Sequence, residues 1–181
     1  PIAGLADVGF LTNETVFNLT ERPRRLALIG AGPIGAELAQ AFCRLGSEVT
    51  LLEMADRILV REDPDAAAIV QASMIRDGVN LVVKCGVQRV ERTDAGKVIH
   101  FTCGGERSVV VDEILVGAGR APNVEGLNLE AAGVTYDRHG VQVNDSLQTS
   151  NPRIYGAGDV CMAWKFTHAA EEAARVAVQN A

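Results

Sequence analysis

The chain has 181 residues and four cysteines, with a formal net charge of −6 at pH 7 and a sequence pI near 5.1. This acidic balance, without a run of Lys and Arg, excludes a nucleic-acid partner. No apolar stretch approaches the ~20 residues that cross a bilayer and no secretory segment opens the chain, so we predict no membrane partner and a cytoplasmic location. The cysteines and histidines lack the close spacing of metal ligands, so no metal site is predicted.

The chain opens with a connector rich in turn-forming residues, in which Thr12-Asn13-Glu14 is typical of a helix cap. An apolar strand begins at Leu26, and strands then alternate with amphipathic helices. The expected elements are a helix over 33–46, a strand over 48–53, a helix over 64–77 and a strand over 80–84. This alternation predicts right-handed βαβ units on a parallel sheet.

The first strand leads directly into a glycine motif, G-x-G-x-x-G, formed by Gly30, Gly32 and Gly35. In a dinucleotide-binding loop the first glycine allows the tight turn and the second lets the backbone approach the pyrophosphate. The third lets helix and strand pack closely. Pro33 falls at the first helical position, where a missing N–H costs nothing. The pyrophosphate would face the positive end of the helix dipole.

The second strand closes on an acidic residue, Glu53, which stands 18 positions after Gly35. This is close to the ~20 positions expected for the residue that binds the adenosine ribose. A carboxylate accepts hydrogen bonds from the ribose hydroxyls and repels a 2′-phosphate, which favours NAD over NADP. Arg57 follows nearby and could meet a 2′-phosphate, and Glu53 alone could be a solvated charge at a strand end.

Short alternating runs then predict a three-stranded antiparallel meander, with strands over 87–91, 97–102 and 107–111. A buried strand over 114–116 follows and ends in a second glycine pair, Gly117 and Gly119. After about Leu127 the pattern changes to loops, a short strand over 141–143 and a final alanine-rich helix over 167–180.

Three signatures stand in order along the chain: the first glycine motif with its glutamate, G-x-G-R-x-P-N over 117–123, and T-x-x-P-x-I-Y-G-A-G-D over 149–159. Together they resemble the FAD-dependent pyridine nucleotide–disulfide oxidoreductases, a family that includes lipoamide dehydrogenase, glutathione reductase and mercuric reductase. The resemblance covers essentially the whole chain. Residues 37–46 and 166–170 look most like the mercuric reductase-like branch.

The resemblance implies two sets of cofactor-binding residues and no catalytic residue within this chain. On the NAD side it implies a pyrophosphate loop, a ribose ligand, an apolar contact to adenine and a strand-end segment near the nicotinamide. These are, in that order, Gly30, Ala31, Gly32, Pro33, Ile34 and Gly35; Glu53; Val87; and Gly117, Ala118, Gly119 and Arg120. On the flavin side it implies Glu37, which faces the flavin, Asp159, which binds the ribityl or pyrophosphate region, and Thr167, whose backbone contacts the flavin ring.

The implied fold is an α/β, Rossmann-like parallel sheet with helices and a three-stranded antiparallel flap, plus a trailing piece of an FAD domain. Residues 1–24 would connect from a missing FAD-domain segment, 25–126 would form the NAD-binding domain, and 127–181 would form part of a second FAD-domain segment. The redox cysteine pair, the FAD glycine motif and the interface domain of the family have no counterpart in this sequence. We therefore expect this chain to be a fragment whose partners are the missing domains of the same protein. The whole protein is expected to be a homodimer.

The implied function is hydride transfer from NADH to FAD, and then electron transfer to a disulfide or another small-molecule acceptor. The fragment alone is expected to bind NADH weakly, to retain no flavin and to be inactive. One alternative is a flavin NADH oxidase, or a ferredoxin or nitrite reductase component, without redox cysteines. Another is a non-catalytic module that responds to NADH by changing a partner surface.

Overall fold

The computed structural model describes residues 2–117, 119 and 121–181. The chain divides into two compact units, unit 1 over Pro1–Gly119 and unit 2 over Arg120–Ala181. Ala118 and Arg120, which the family resemblance assigns to the nicotinamide side, lie outside the described residues. The sequence-based domain boundary after residue 126 stays a prediction.

A four-stranded parallel sheet forms the centre of unit 1, as the alternating pattern predicted. Its strands are β1 (Arg25–Ile29), β2 (Glu48–Leu52), β3 (Asn80–Val82) and β7 (Glu113–Val116), in the order β3-β2-β1-β7. All pairs are parallel, with Leu28 of β1 opposite Leu51 of β2 and Leu115 of β7. The carboxyl ends of β1, β2 and β7 therefore meet at one edge of the sheet.

Two helices connect these strands, α2 (Pro33–Arg44) and α3 (Pro64–Asp77). α3 has the bounds that the sequence predicts, because the Asp63 side chain accepts hydrogen bonds from two backbone N–H groups and Gly78 ends the helix with a φ of 105°. α2 ends before the predicted residue 46. Gly46, with a φ of 95°, turns the chain back, and its N–H donates to the carbonyl oxygen of Cys43.

The predicted meander is an antiparallel sheet of β4 (Gly86–Thr93), β5 (Gly96–Thr102) and β6 (Glu106–Val111). We call this sheet the flap. The register of β4 against β5 shifts between Val87 and Arg89, which is a β-bulge.

The parallel sheet is buried on both faces. Alternate residues of β1 belong to different apolar clusters, Leu26 and Leu28 to one and Ala27 and Ile29 to the other. The first cluster includes helix residues such as Met74, and the second includes flap residues. Burial on both faces explains why β1 reads as a continuous apolar run rather than an alternating one.

The connector over 1–24 is part of unit 1 and is more ordered than its turn-rich sequence indicated. It forms a short helix, α1 (Leu5–Val8), and a 3₁₀ helix (Val16–Asn18). The flap holds the end of α1, because Nη2 of Arg92 donates to the carbonyl oxygen of Val8 at 2.6 Å. Nζ of Lys97 donates to the carbonyl oxygen of Gly9 at 2.9 Å.

Unit 2 contains a two-stranded sheet of β8 (Tyr136–Asp137) and β9 (Gly140–Val141), a 3₁₀ helix (Gly158–Val160) and α4 (Thr167–Asn180). α4 matches its predicted bounds. The strand predicted over 141–143 was placed too late: the ladder pairs Val141 with Tyr136, and Gln142 lies beyond it. Over residues 2–117, 119 and 121–181, no helix has the length and apolar character needed to cross a membrane.

Candidate functional site

The first glycine motif forms the turn from β1 to α2, at the carboxyl edge of the parallel sheet. Gly30 adopts a φ of 98°, and its N–H donates to the carbonyl oxygen of Leu52 at 2.8 Å. α2 then begins at Pro33, and the residue before it, Gly32, has no side chain that could cap the helix. The first N–H groups of a helix have no intrahelical acceptor and carry the positive end of the dipole. The turn is therefore suited to an anion.

Gly35 lacks a side chain because the fold leaves no room for one. A Cβ at this position would overlap the carbonyl oxygen of Gly30, so the first turn of α2 lies directly against the end of β1. The close packing that the sequence assigned to the third glycine is present in the structure.

Gly32 differs from Gly35, because neither its packing nor its conformation requires glycine. Its φ is −70° and its ψ is −175°, which is extended backbone open to any residue. A Cβ built on it has no heavy atom of the described chain within 4 Å. The open space in front of Gly32 lies at the start of the helix, where a phosphate group would need close approach to the backbone.

Glu53 lies immediately after β2, next to the glycine turn. Its Oε2 accepts a hydrogen bond from the N–H of Ala31 at 2.6 Å, and its Oε1 accepts one from the N–H of Ala55 at 2.8 Å. The carboxylate is half-buried and held in one orientation by both bonds. A carboxylate oxygen has two lone pairs, so each oxygen can accept a further bond from a hydroxyl group.

The contact between Glu53 and Ala31 is a feature that sequence reasoning missed. The spacing from Gly35 indicated a ribose ligand, and it gave no sign that the same carboxylate also braces the glycine turn. Parallel pairing of β1 with β2 brings the two together, because both residues follow paired strand ends.

The second glycine pair starts beside the first motif. The N–H of Gly117 donates to the carbonyl oxygen of Ile29 at 2.9 Å, and a Cβ on Gly117 would lie 3.4 Å from the backbone nitrogen of Gly35. Gly119 has a φ of 97°. The structure therefore brings Gly117 to the glycine turn, which the sequence order alone did not require.

For the other unit 1 residues that the resemblance implies, the structure gives their exposure and their place in the fold. Ile34 is half-buried in the first turn of α2, while Pro33 and Glu37 are exposed. Val87 is half-buried and packs against the flap side of the apolar core, at the β-bulge.

The flavin-side residues of unit 2 are both exposed. Asp159 lies in the 3₁₀ helix, and its carbonyl oxygen accepts a hydrogen bond from Nζ of Lys165 at 2.8 Å. Thr167 is the first residue of α4, which has no side-chain cap at Phe166. Each is placed by local structure within unit 2.

Cys85 lies behind Glu53, where its N–H donates to the carbonyl oxygen of Glu53 at 3.0 Å. Its thiol donates to the carbonyl oxygen of Val82 at 3.2 Å. Burial raises the pKa of this thiol, which favours its protonated form at neutral pH. Cys85 is buried in the apolar cluster on the flap side of the sheet.

Comparison with known proteins gives consistent matches along the chain. The family model described as pyridine nucleotide-disulphide oxidoreductase matches residues 1–174. The chain is 41% identical over 182 residues to mercuric reductase of Lysinibacillus sphaericus, covering 99% of this chain and 33% of that protein. It is 36% identical over 181 residues to dihydrolipoyl dehydrogenase of Bacillus subtilis strain 168, covering 100% of this chain and 39% of that protein.

Among solved structures, a Cu(II) complex of the HOCl-induced flavoprotein disulfide reductase RclA from Escherichia coli superposes with a TM-score of 0.90. The identity is 31%, and the match covers 97% of this chain and 40% of that chain. The chain thus spans between a third and two fifths of the length of these relatives.

Proposed function

Because the chain belongs to the pyridine nucleotide-disulphide oxidoreductase family, we propose that it is the NADH-binding part of a flavoprotein oxidoreductase. The whole protein passes a hydride from NADH to FAD and then electrons to a disulfide or a similar small acceptor. It works as a homodimer, with the remaining FAD and interface domains supplied by the rest of its own chain. The fragment of 181 residues is inactive and retains no flavin.

The observation that carries this proposal is that the open space at Gly32 lies directly before the start of α2, which no side chain caps. The space in front of Gly32 is open although its backbone would accept any residue. A pyrophosphate fits this arrangement, because it needs both close backbone approach and unpaired N–H donors.

Glu53 supports NADH rather than NADPH as the dinucleotide. Its carboxylate is fixed beside the glycine turn by the N–H groups of Ala31 and Ala55. The remaining lone pairs accept hydrogen bonds from ribose hydroxyls, whereas a 2′-phosphate would place like charges in contact.

When bound, the nicotinamide supplies the hydride and the flavin accepts it. The residues of this chain orient the cofactors. The glycine turn would hold the pyrophosphate at the N-terminus of α2, and Gly117, which lies against this turn, would lie near the nicotinamide half. In the whole protein, the N–H groups at the N-terminus of α4 near Thr167 would stabilise negative charge on a bound flavin ring.

The test is a paired calorimetric titration of the protein with NADH and NADPH. We expect NADH to bind more tightly, and Glu53→Gln to weaken NADH about tenfold while strengthening NADPH, because the substitution removes the charge that repels the 2′-phosphate. Gly32→Ala should weaken both dinucleotides at least as much, because a methyl group occupies the phosphate space, without lowering stability by more than about 0.5 kcal/mol.

The matched control is Glu48→Gln, which changes an exposed carboxylate at the opposite end of the same strand. It should leave both affinities unchanged. If the unsubstituted protein bound NADPH more tightly than NADH, the assignment of Glu53 would be contradicted. Equal effects of Glu53→Gln and Glu48→Gln on the two affinities would contradict it as well.

A further inference from the structure

The loop that follows β2 is folded around the side chain of Arg57. Nη1 donates to the carbonyl oxygens of Ile58 and Leu59 at 3.3 and 2.9 Å. Nη2 donates to the carbonyl oxygens of Val60 and Glu62 at 3.0 and 3.2 Å. Each terminal nitrogen of a guanidinium carries two hydrogens. Both hydrogens on both nitrogens are therefore matched by acceptors from the loop.

This loop contacts the glycine turn through Leu59. Leu59 has a φ of 49°, a left-handed conformation that is unfavourable for a side chain of this kind. In that conformation its N–H donates to the carbonyl oxygen of Ala31 at 2.9 Å. The N–H of Ala31 in turn donates to Glu53 at 2.6 Å.

Both backbone polar groups of Ala31, its N–H and its carbonyl, are thus hydrogen-bonded to the segment after β2. Glu53 binds its N–H group and Leu59 binds its carbonyl group. The first contact depends on the acidic residue itself. The second depends on a left-handed leucine, whose carbonyl oxygen is bound by Arg57 and by the N–H of Glu62.

We propose that Arg57 is a positioning residue for the dinucleotide site, and that it is not a ligand for a 2′-phosphate. By binding four carbonyl oxygens it stabilises the loop in the form that places the Leu59 N–H against Ala31. A bidentate phosphate contact through the two terminal nitrogens would break those bonds. Arg57 therefore shapes the site for either dinucleotide, and the preference for NADH rests on Glu53. This inference rests on the proposed function.

The test replaces Arg57 by lysine, which keeps the positive charge but cannot reach four acceptors in a fixed plane. Two quantities are measured: amide hydrogen exchange at Leu59, and the dissociation constants of NADH and NADPH. We expect exchange at Leu59 to become about tenfold faster and both dinucleotides to bind about fivefold more weakly, with their ratio unchanged. Exchange at Gly30, whose N–H binds Leu52, should not change.

The control is Arg61→Lys, at an exposed arginine of the same loop, and it should alter neither quantity. Arg57→Gln is the second variant, and it should accelerate exchange at Leu59 in the same way.

Unchanged exchange at Leu59 in both Arg57 variants would overturn the positioning role. Selective loss of NADPH binding on Arg57→Lys would show instead that Arg57 is a phosphate ligand. The exchange measurement needs no nucleotide, so it still decides the role of Arg57 in the loop if the unsubstituted protein binds neither dinucleotide. That last result would count against the proposed function alone.

Discussion

The glycine turn of unit 1 and the 3₁₀ helix–α4 segment of unit 2 form candidate cofactor contacts in different ways. The glycine turn lies on strands whose central residues Leu28, Leu51 and Leu115 are fully buried. In unit 2, the buried apolar residues among those described are smaller, namely Val134, Val141, Ala173 and Ala177. The glycine turn is also braced by backbone and carboxylate hydrogen bonds, whereas Asp159 and Thr167 are exposed.

The difference shows what each kind of site needs from its own chain. A pyrophosphate turn is made by one βαβ unit, in which strand pairing and helix packing fix the backbone that binds the ligand. A contact made by one exposed aspartate and one helix start depends on other groups to complete it. We therefore expect changes in unit 1 to alter nucleotide binding directly, and changes in unit 2 to leave it intact.

The largest expected effect comes from Gly35→Ala. The new methyl group would overlap the carbonyl oxygen of Gly30, and α2 can move away only by disturbing buried Ala36 and Ala39. We expect a loss of about 4 kcal/mol in the free energy of unfolding of unit 1. Denaturant unfolding with hydrogen exchange at the β1 amides measures this loss.

Gly105→Ala is the control for that substitution. Gly105 has open space around its Cβ position and lies in an exposed turn of the flap. A stability change below about 0.5 kcal/mol is expected. Similar losses for the two substitutions would show that the packing at Gly35 is not what holds the glycine turn.

An equivalent substitution in unit 2 is Gly140→Ala, and its effect should be smaller. Gly140 has a φ of 119°, and a Cβ on it would overlap the carbonyl oxygen of Val160, next to Asp159. The 3₁₀ helix that carries Val160 is short, so it can shift more easily than α2. We expect a loss of about 2 kcal/mol, confined to unit 2.

Limited proteolysis and hydrogen exchange would locate the effect of Gly140→Ala. Faster exchange at β8 and β9, with unchanged exchange at β1 and unchanged NADH affinity, is the expected result. Loss of NADH affinity would show that the two regions are not independent in this respect.

The smallest expected effect is a pH dependence within unit 1. Nε and Nη2 of Arg25 donate to Oδ1 of Asp112 at 3.1 and 2.5 Å, and the Arg25 N–H donates to Oδ2 at 2.8 Å. These hydrogen bonds hold the pKa of Asp112 below its ordinary value. The stabilisation is therefore present above about pH 4, the ordinary carboxyl pKa, and is lost as pH falls through the lower pKa of the folded state.

Urea unfolding of unit 1 at pH 7 and pH 3 measures this contribution. Asp112→Asn should cost about 1 kcal/mol at pH 7, since the pair is partly exposed, and much less at pH 3. Arg25→Gln should reduce the same pH dependence. An equal cost of Asp112→Asn at both pH values would mean that the carboxylate charge is not involved.

The sequence by itself determined most local elements of the fold and the position of the glycine turn. The limits of α3 follow from Asp63 and Gly78, and the succession of the three β-meander strands follows from turn residues between alternating runs, because caps and turns act over a few positions. The roles of Gly30 and Gly35 were likewise predictable, since a strand, a tight turn and a helix are consecutive in the chain. The strand predicted over 141–143 was placed less well and β8 was not predicted, because a two-residue ladder leaves little periodic signal.

Only the tertiary structure decided which distant groups support the glycine turn. Parallel pairing of β1 with β2 places Glu53 at the Ala31 N–H, and the loop around Arg57 places the Leu59 N–H at the Ala31 carbonyl. The tertiary structure also places Gly117 next to Gly35. A Cβ added to Gly117 would lie 3.4 Å from the backbone nitrogen of Gly35. Motif spacing does not report such contacts, because they depend on strand order and on backbone groups, and nearly every residue type carries the same backbone donor and acceptor.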